Sequence, residues 1–104
     1  MRIEVSSEVN ISAFAARQLA NQYLLHRIGD QVGALEPELV VGERLFWRLP
    51  VQYAPSLLGP LGIVGHLLVD AQSGEVVIDD ERNINSLIDS AEVLYERAAL
   101  SAGA

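Results

Sequence analysis

The chain has 104 residues, half of them apolar and a fifth charged, with 14 acidic against 7 basic side chains and a formal net charge of −7. A length of this order accommodates one domain, and the absence of cysteine excludes disulfide frameworks, thiolate catalysis and cysteine-based zinc sites. Every basic residue is an arginine, and these are scattered (Arg2, Arg17, Arg27, Arg44, Arg48, Arg82, Arg97). No basic stripe is available to neutralise phosphates, so we expect no nucleic-acid partner, and without lysine there is neither Schiff-base nor P-loop lysine chemistry.

In chain order, Met1–Glu8 lacks the apolar stretch of an export signal, and no segment approaches the roughly 20 apolar residues that span a bilayer. A cytoplasmic chain that makes no use of the membrane is the expectation. Residues Ser12 to Ile28 predict a first helix, with Ser12 as N-cap and Gly29 just past the end. Phe14, Leu19, Tyr23 and Ile28, filled in by Ala15, Ala16 and Ala20, predict its buried stripe. Gly29–Pro37 reads as a connector, with Val32 and Leu35 packing back on the core.

Two strands follow, Glu38–Val41 and Arg44–Tyr53, joined by Gly42-Glu43 as a two-residue type II′ turn. On the second strand Leu45, Trp47, Leu49, Val51 and Tyr53 alternate with Phe46, Arg48, Pro50 and Gln52, so the odd positions predict a core face. Pro50 cannot donate to a ladder, which predicts an edge or a bulge there. Ala54–Gly62 is an apolar loop whose Leu57, Leu58 and Leu61 must fold back or meet a partner. Gly62–Asp70 and Glu75–Asp79 predict a hairpin, with Gly74 in the left-handed conformation and Asp70 bonding the turn amides. Asp79-Asp80-Glu81 precedes a helix from Ile84 to about Leu100, marked by Ile84, Leu87, Ile88, Ala91, Leu94, Tyr95 and Ala98, and followed by a frayed tail. The expected fold is a single α+β domain over residues 1–104: N-terminal helix, four-stranded antiparallel meander, C-terminal helix.

Trp47-Arg48-Leu49-Pro50-Val51, with Gly65-His66-Leu67-Leu68-Val69-Asp70-Ala71-Gln72-Ser73-Gly74-Glu75-Val76, resembles the core of PepSY-like domains. The resemblance runs from Ser12 to Ile78 and implies a non-catalytic binding or regulatory module. This chain departs from the family pattern in lacking an export signal and in its long second helix. On size and charge alone it is also similar to the acidic, neutralising half of a toxin–antitoxin pair.

No motif supports catalysis. His26 and His66 are the only histidines, and their spacing suggests no pair with an orienting group. The carboxylates Asp70, Glu75, Asp79, Asp80 and Glu81 lack calcium-loop spacing, and turn and cap chemistry account for them. No serine sits in a G-x-S-x-G elbow, and Gly59, Gly62 and Gly65 do not form a dinucleotide fingerprint. We therefore expect no cofactor and no metal.

The strands are more telling. With Leu45, Trp47, Ile63, Leu67, Val76 and Ile78 assigned to one face, the other holds Phe46, Val64, His66, Leu68 and Val77. A sheet with one wet face should be polar there, so either the helices cover opposite faces or a second chain covers one. We take the second alternative, and expect a homodimer or another protein bound through Phe46, Val64, His66, Leu68 and Val77 together with Leu57, Leu58 and Leu61. The rival expectations are an acidic neutraliser of a basic protein, and a small enzyme with a pocket of His66, Arg48, Tyr53 and Asp70.

Overall fold

A computed structural model describes residues 9–78 and 84–103. The element order is α1 (Ala13–Arg27), β1 (Val32–Ala34), β2 (Glu38–Val41), β3 (Leu45–Tyr53), β4 (Gly62–Asp70), β5 (Val76–Ile78) and α2 (Ile84–Gly103), an α+β fold with one antiparallel sheet. The long β3–β4 pair is its centre. β5 flanks β4, while β1 and β2 lie end to end along the outer side of β3, β1 against Ala34↔Val51 to Val32↔Tyr53 and β2 against Glu38↔Arg48 to Val41↔Leu45. The expected four strands are present, and a fifth, β1, lies within the segment read as a connector.

Pro50 fits because of that division. Its carbonyl accepts from Leu35 N–H on the β1–β2 side, so its missing donor faces the gap where Glu36-Pro37 separates the two short strands. Asn21 Oδ1 accepts from Ala34 N–H at 2.8 Å, and Arg17 Nε donates to Ala34 O at 2.9 Å while its guanidinium reaches Glu36. Helix α1 thereby satisfies backbone groups of Ala34 that an edge strand would leave to water.

The first helix starts as expected, with Ser12 Oγ accepting from Ala15 N–H, and Gly29 ends it at φ +147°. Its buried stripe is different. Ala16, Ala20 and Leu24 are fully buried at i, i+4, i+8, with Leu19, Tyr23 and Ile28 partly buried beside them, whereas Phe14 is 73% exposed. Small alanines bring the helix close to the sheet, and Phe14 falls outside the contact.

Three further expectations are corrected. Gly42–Arg44 is a three-residue loop closed by the Val41↔Leu45 pair, and Gly42 does not take the positive φ of a type II′ turn. The strand begins at Leu45 accordingly. Helix α2 continues to Gly103, past Leu100. The Asp79-Asp80-Glu81 segment lies outside the described residues, as does Met1–Glu8.

A bulge in β4 sets the faces. Val51 pairs with Gly65 and Gln52 with Ile63, so Val64 is the extra residue and the alternation slips by one. Val64 turns into the core at 3% exposed, and Ile63 turns out at 47%, the reverse of the expected assignment. Leu49, Val51, Val64, Leu67 and Val69 join Ala16, Ala20 and Leu24 of α1 and Leu87 and Ala91 of α2 in a single buried cluster. Both helices therefore pack on one side of the sheet. Next to the bulge, Gly65 lets α2 approach: a Cβ there would collide with Leu87 Cδ2, and Leu87 is itself buried with little room to move.

Gly65→Ala should therefore destabilise the protein by about 1–3 kcal/mol through overpacking. Leu87→Ala should cost about 2–5 kcal/mol alone. In urea denaturation the double variant should be more stable than the sum of the two losses, because the truncated Leu87 vacates the space. Strict additivity would show that the two positions do not touch.

Candidate functional site

The side of the sheet away from the helices is built in rows by the strand register. Val40 lies beside Phe46, and Phe46 beside Asp70; Glu38, Arg48, Leu68 and Val77 form the next row; Pro50 and His66 the next; Gln52 and Ile63 the last. Phe46, Pro50, His66 and Leu68 are half-buried, and Val40, Ile63 and Val77 are exposed. None of the described helices lies over this surface. Apolar residues run through every row, and among the charged members Arg48 stands in register with Glu38, while Arg44 is salt-bridged to Asp70 with its guanidinium 5.7 Å from the Phe46 ring centroid.

Of the residues expected on a partner-binding surface, Phe46, His66, Leu68 and Val77 come together here. Val64 does not, because the bulge turns it into the core, and it is no part of this surface. Leu57, Leu58 and Leu61 sit on the loop joining the far ends of β3 and β4, about seven residues or ~23 Å along the strand from Phe46. Leu57 is 97% exposed, while Leu58 and Leu61 are half-buried, so the loop folds back in part and presents one leucine. Val40, Pro50 and Ile63 were missed. Ile63 follows from the phase slip, for which Gly65 inside a strand was the available signal.

The proposed enzyme pocket is not assembled. Arg48 and His66 share the open face, Tyr53 belongs to the helix-covered face, and Asp70 ends β4 with its carboxylate folded into the adjoining turn. His26 is exposed in the last turn of α1. Among the described residues there is no group of three or more His, Asp or Glu side chains placed to hold a metal ion, and no helix is long and apolar enough to cross a membrane.

Asp70 instead organises one end of the sheet. Its Oδ1 accepts from Gln72 N–H at 2.8 Å and Ser73 N–H at 3.1 Å, its carbonyl accepts from Gly74 N–H, and Oδ2 pairs with Arg44. Gly74 takes the left-handed φ of +81° that closes the turn. Next door, Ala71 O accepts from both Asn10 and Ile11 N–H, which anchors the chain entering α1. The backbone N–H groups of Gln72 and Ser73 and the Arg44 guanidinium hold the Asp70 carboxyl below its usual pKa, against the opposing effect of burial.

On the helix side, a cleft of about 560 Å³ opens between the end of α1, β1, Tyr53 and the middle of α2. Val32, Ile88 and Ala91 line it with apolar surface, and Asp30, Glu92 and Glu96 also contribute to its lining. Its existence depends on how the two helices sit together, which neither helix's own pattern specifies.

No family model, no curated protein and no solved structure matches this chain.

Asp70→Asn should destabilise the fold by about 1–3 kcal/mol at neutral pH, the scale of charge-assisted hydrogen bonds to a buried group. Because the folded-state pKa is depressed, this stabilisation is present above the unfolded carboxylate value near 3.8 and is lost as pH falls through the folded-state value. Urea titrations of both proteins should show the gap between them closing below about pH 4. A gap independent of pH would mean that the Asp70 charge is not what stabilises the turn.

Proposed function

We propose that the protein is a non-catalytic binding module that associates through the open face of its sheet, and that the partner on this face is a second copy of the same chain. The supporting observation is the row structure: Val40, Phe46, Pro50, Leu68, Val77 and Ile63 lie in adjacent rows, with Arg48 and His66 among them, on a face that neither described helix shields. An antiparallel sheet exposed to water ordinarily alternates apolar-in with polar-out, and contiguous apolar surface of this kind marks an interaction site.

Size and charge both favour a second copy. The face runs roughly 30 Å along β3 and, with β5 only three residues long, at most about 20 Å across, a patch within about a factor of two of the ~800 Å² that each partner gives to a stable interface. The net charge of −7 would oppose self-association if it were borne on this surface. It is not, since Arg48 is set against Glu38 and Arg44 against Asp70. A two-fold packing of two such sheets would bury Leu68 and Val77 at its centre. The resemblance of Trp47–Val51 and Gly65–Val76 to PepSY-like domains is consistent with a binding role, and we propose that kinship on those residues alone.

The wild-type protein should sediment as a dimer at micromolar concentration. Leu68→Glu places a carboxylate opposite Arg48 within the same subunit, so the monomer keeps its fold while the apolar contact is lost. It should sediment as a monomer with an unchanged circular dichroism spectrum, and Val77→Glu should do the same. A monomeric wild type, or a Leu68→Glu dimer as tight as wild type, would dispose of the assignment.

A further inference from the structure

The cleft on the helix side has a composition that selects its ligand. We propose that it binds a small organic cation, a protonated amine carried on an apolar or aromatic body. Its volume of about 560 Å³ falls within the range of roughly 300–1,000 Å³ of small-molecule sites, and such sites combine apolar walls with a few placed polar groups. Here the walls are Val32, Ile88 and Ala91, and two aromatic rings, Tyr53 and Tyr95, are added to them. Aromatic faces attract cations, and Tyr95 is exposed and so accessible to one.

The charge has one sign. Asp30, Glu92 and Glu96 line the cleft, and among the described residues no arginine or histidine does. None of the three is ion-paired among the described residues. Glu92 and Glu96 are four apart on α2, an arrangement of like charges that works against the helix by a few tenths of a kcal/mol. Ile28 and Gly29 bring the C-terminal end of α1 to the same opening, and that end is the negative pole of the helix dipole. Carboxylates and dipole thus favour a positive group at the mouth, while the tyrosines and aliphatic walls accept an apolar body. The cleft is on the opposite side of the sheet from the open face, so the inference is independent of the dimer.

The test is a titration of the full chain, followed by proton–nitrogen correlation spectra at neutral pH and about 20 mM salt to limit screening. The probes are tryptammonium, phenethylammonium and spermidine, with indole-3-propionate as an anion of similar shape to the first. Tryptammonium should shift the amides of Gly29–Val32 and Ile88–Glu96 saturably, and indole-3-propionate should leave them in place. Glu92→Gln/Glu96→Gln should weaken tryptammonium binding about fivefold or more, with the same spectra reporting that the fold is intact. Tyr95→Ala should weaken it several-fold, and Tyr95→Phe should preserve it. Absence of saturable shifts at the cleft with tryptammonium and phenethylammonium up to about 10 mM (whether or not spermidine binds), equal binding of cation and anion, or undiminished binding by the double variant would each overturn the proposal.

Discussion

The packing of both described helices on one side of the central β3–β4 pair is the constraint on which the rest of the molecule depends. Leu49, Val51, Leu67 and Val69 are fully buried, and both helices deliver their apolar stripes to them. A chain of this length buries a limited fraction of its surface, and concentrating both helices on one side completes a core there at the expense of the other side. The open face and the cleft are both consequences. One is what the helices leave uncovered, and the other is where they fail to meet.

Two glycines and one bulge tune that arrangement. Val64, inserted between the Val51↔Gly65 and Gln52↔Ile63 pairs, adds a side chain to the core and turns Ile63 to water. Gly65 beside it leaves the space that Leu87 fills, so α2 lies close over β4. At the opposite end of β4, Gly74 and the Asp70 carboxylate close the turn to β5, and the adjacent Ala71 carbonyl holds the chain leading into α1. The two ends of one strand thus position the two helices.

How legible this was depended on the kind of signal. The core face of β3 was readable because all five odd positions from Leu45 to Tyr53 are apolar, while Arg48 and Gln52 fall on the even ones. The α1 boundaries were readable because Ser12 and Gly29 are strong punctuation. The stripe of α1 was misjudged at Phe14, since close packing on Ala16 and Ala20 rewards small residues and a large side chain is no guide to the contact. β1 was invisible: Val32-Gly33-Ala34 has no β pattern of its own and pairs because Asn21 and Arg17 secure its outer side. The slip at Val64 defeats any reading by strict period two. Phe46, His66, Leu68 and Val77 were found because they lie where the period is regular. The cleft residues were not, since Asp30, Tyr53 and Glu92 are far apart in sequence and meet only through helix placement.

The single tryptophan gives the molecule a built-in optical gauge. Trp47 is half-buried on the core face, and its indole N–H donates to the carbonyl of Ile11, one residue ahead of the Ser12 cap, at 2.6 Å. That bond joins the middle of the sheet to the root of the first helix. Undocking the helix would strip the ring of both its hydrogen bond and its shelter, moving its emission to longer wavelength, so one fluorophore distinguishes loss of this seam from events at the distant end of α2.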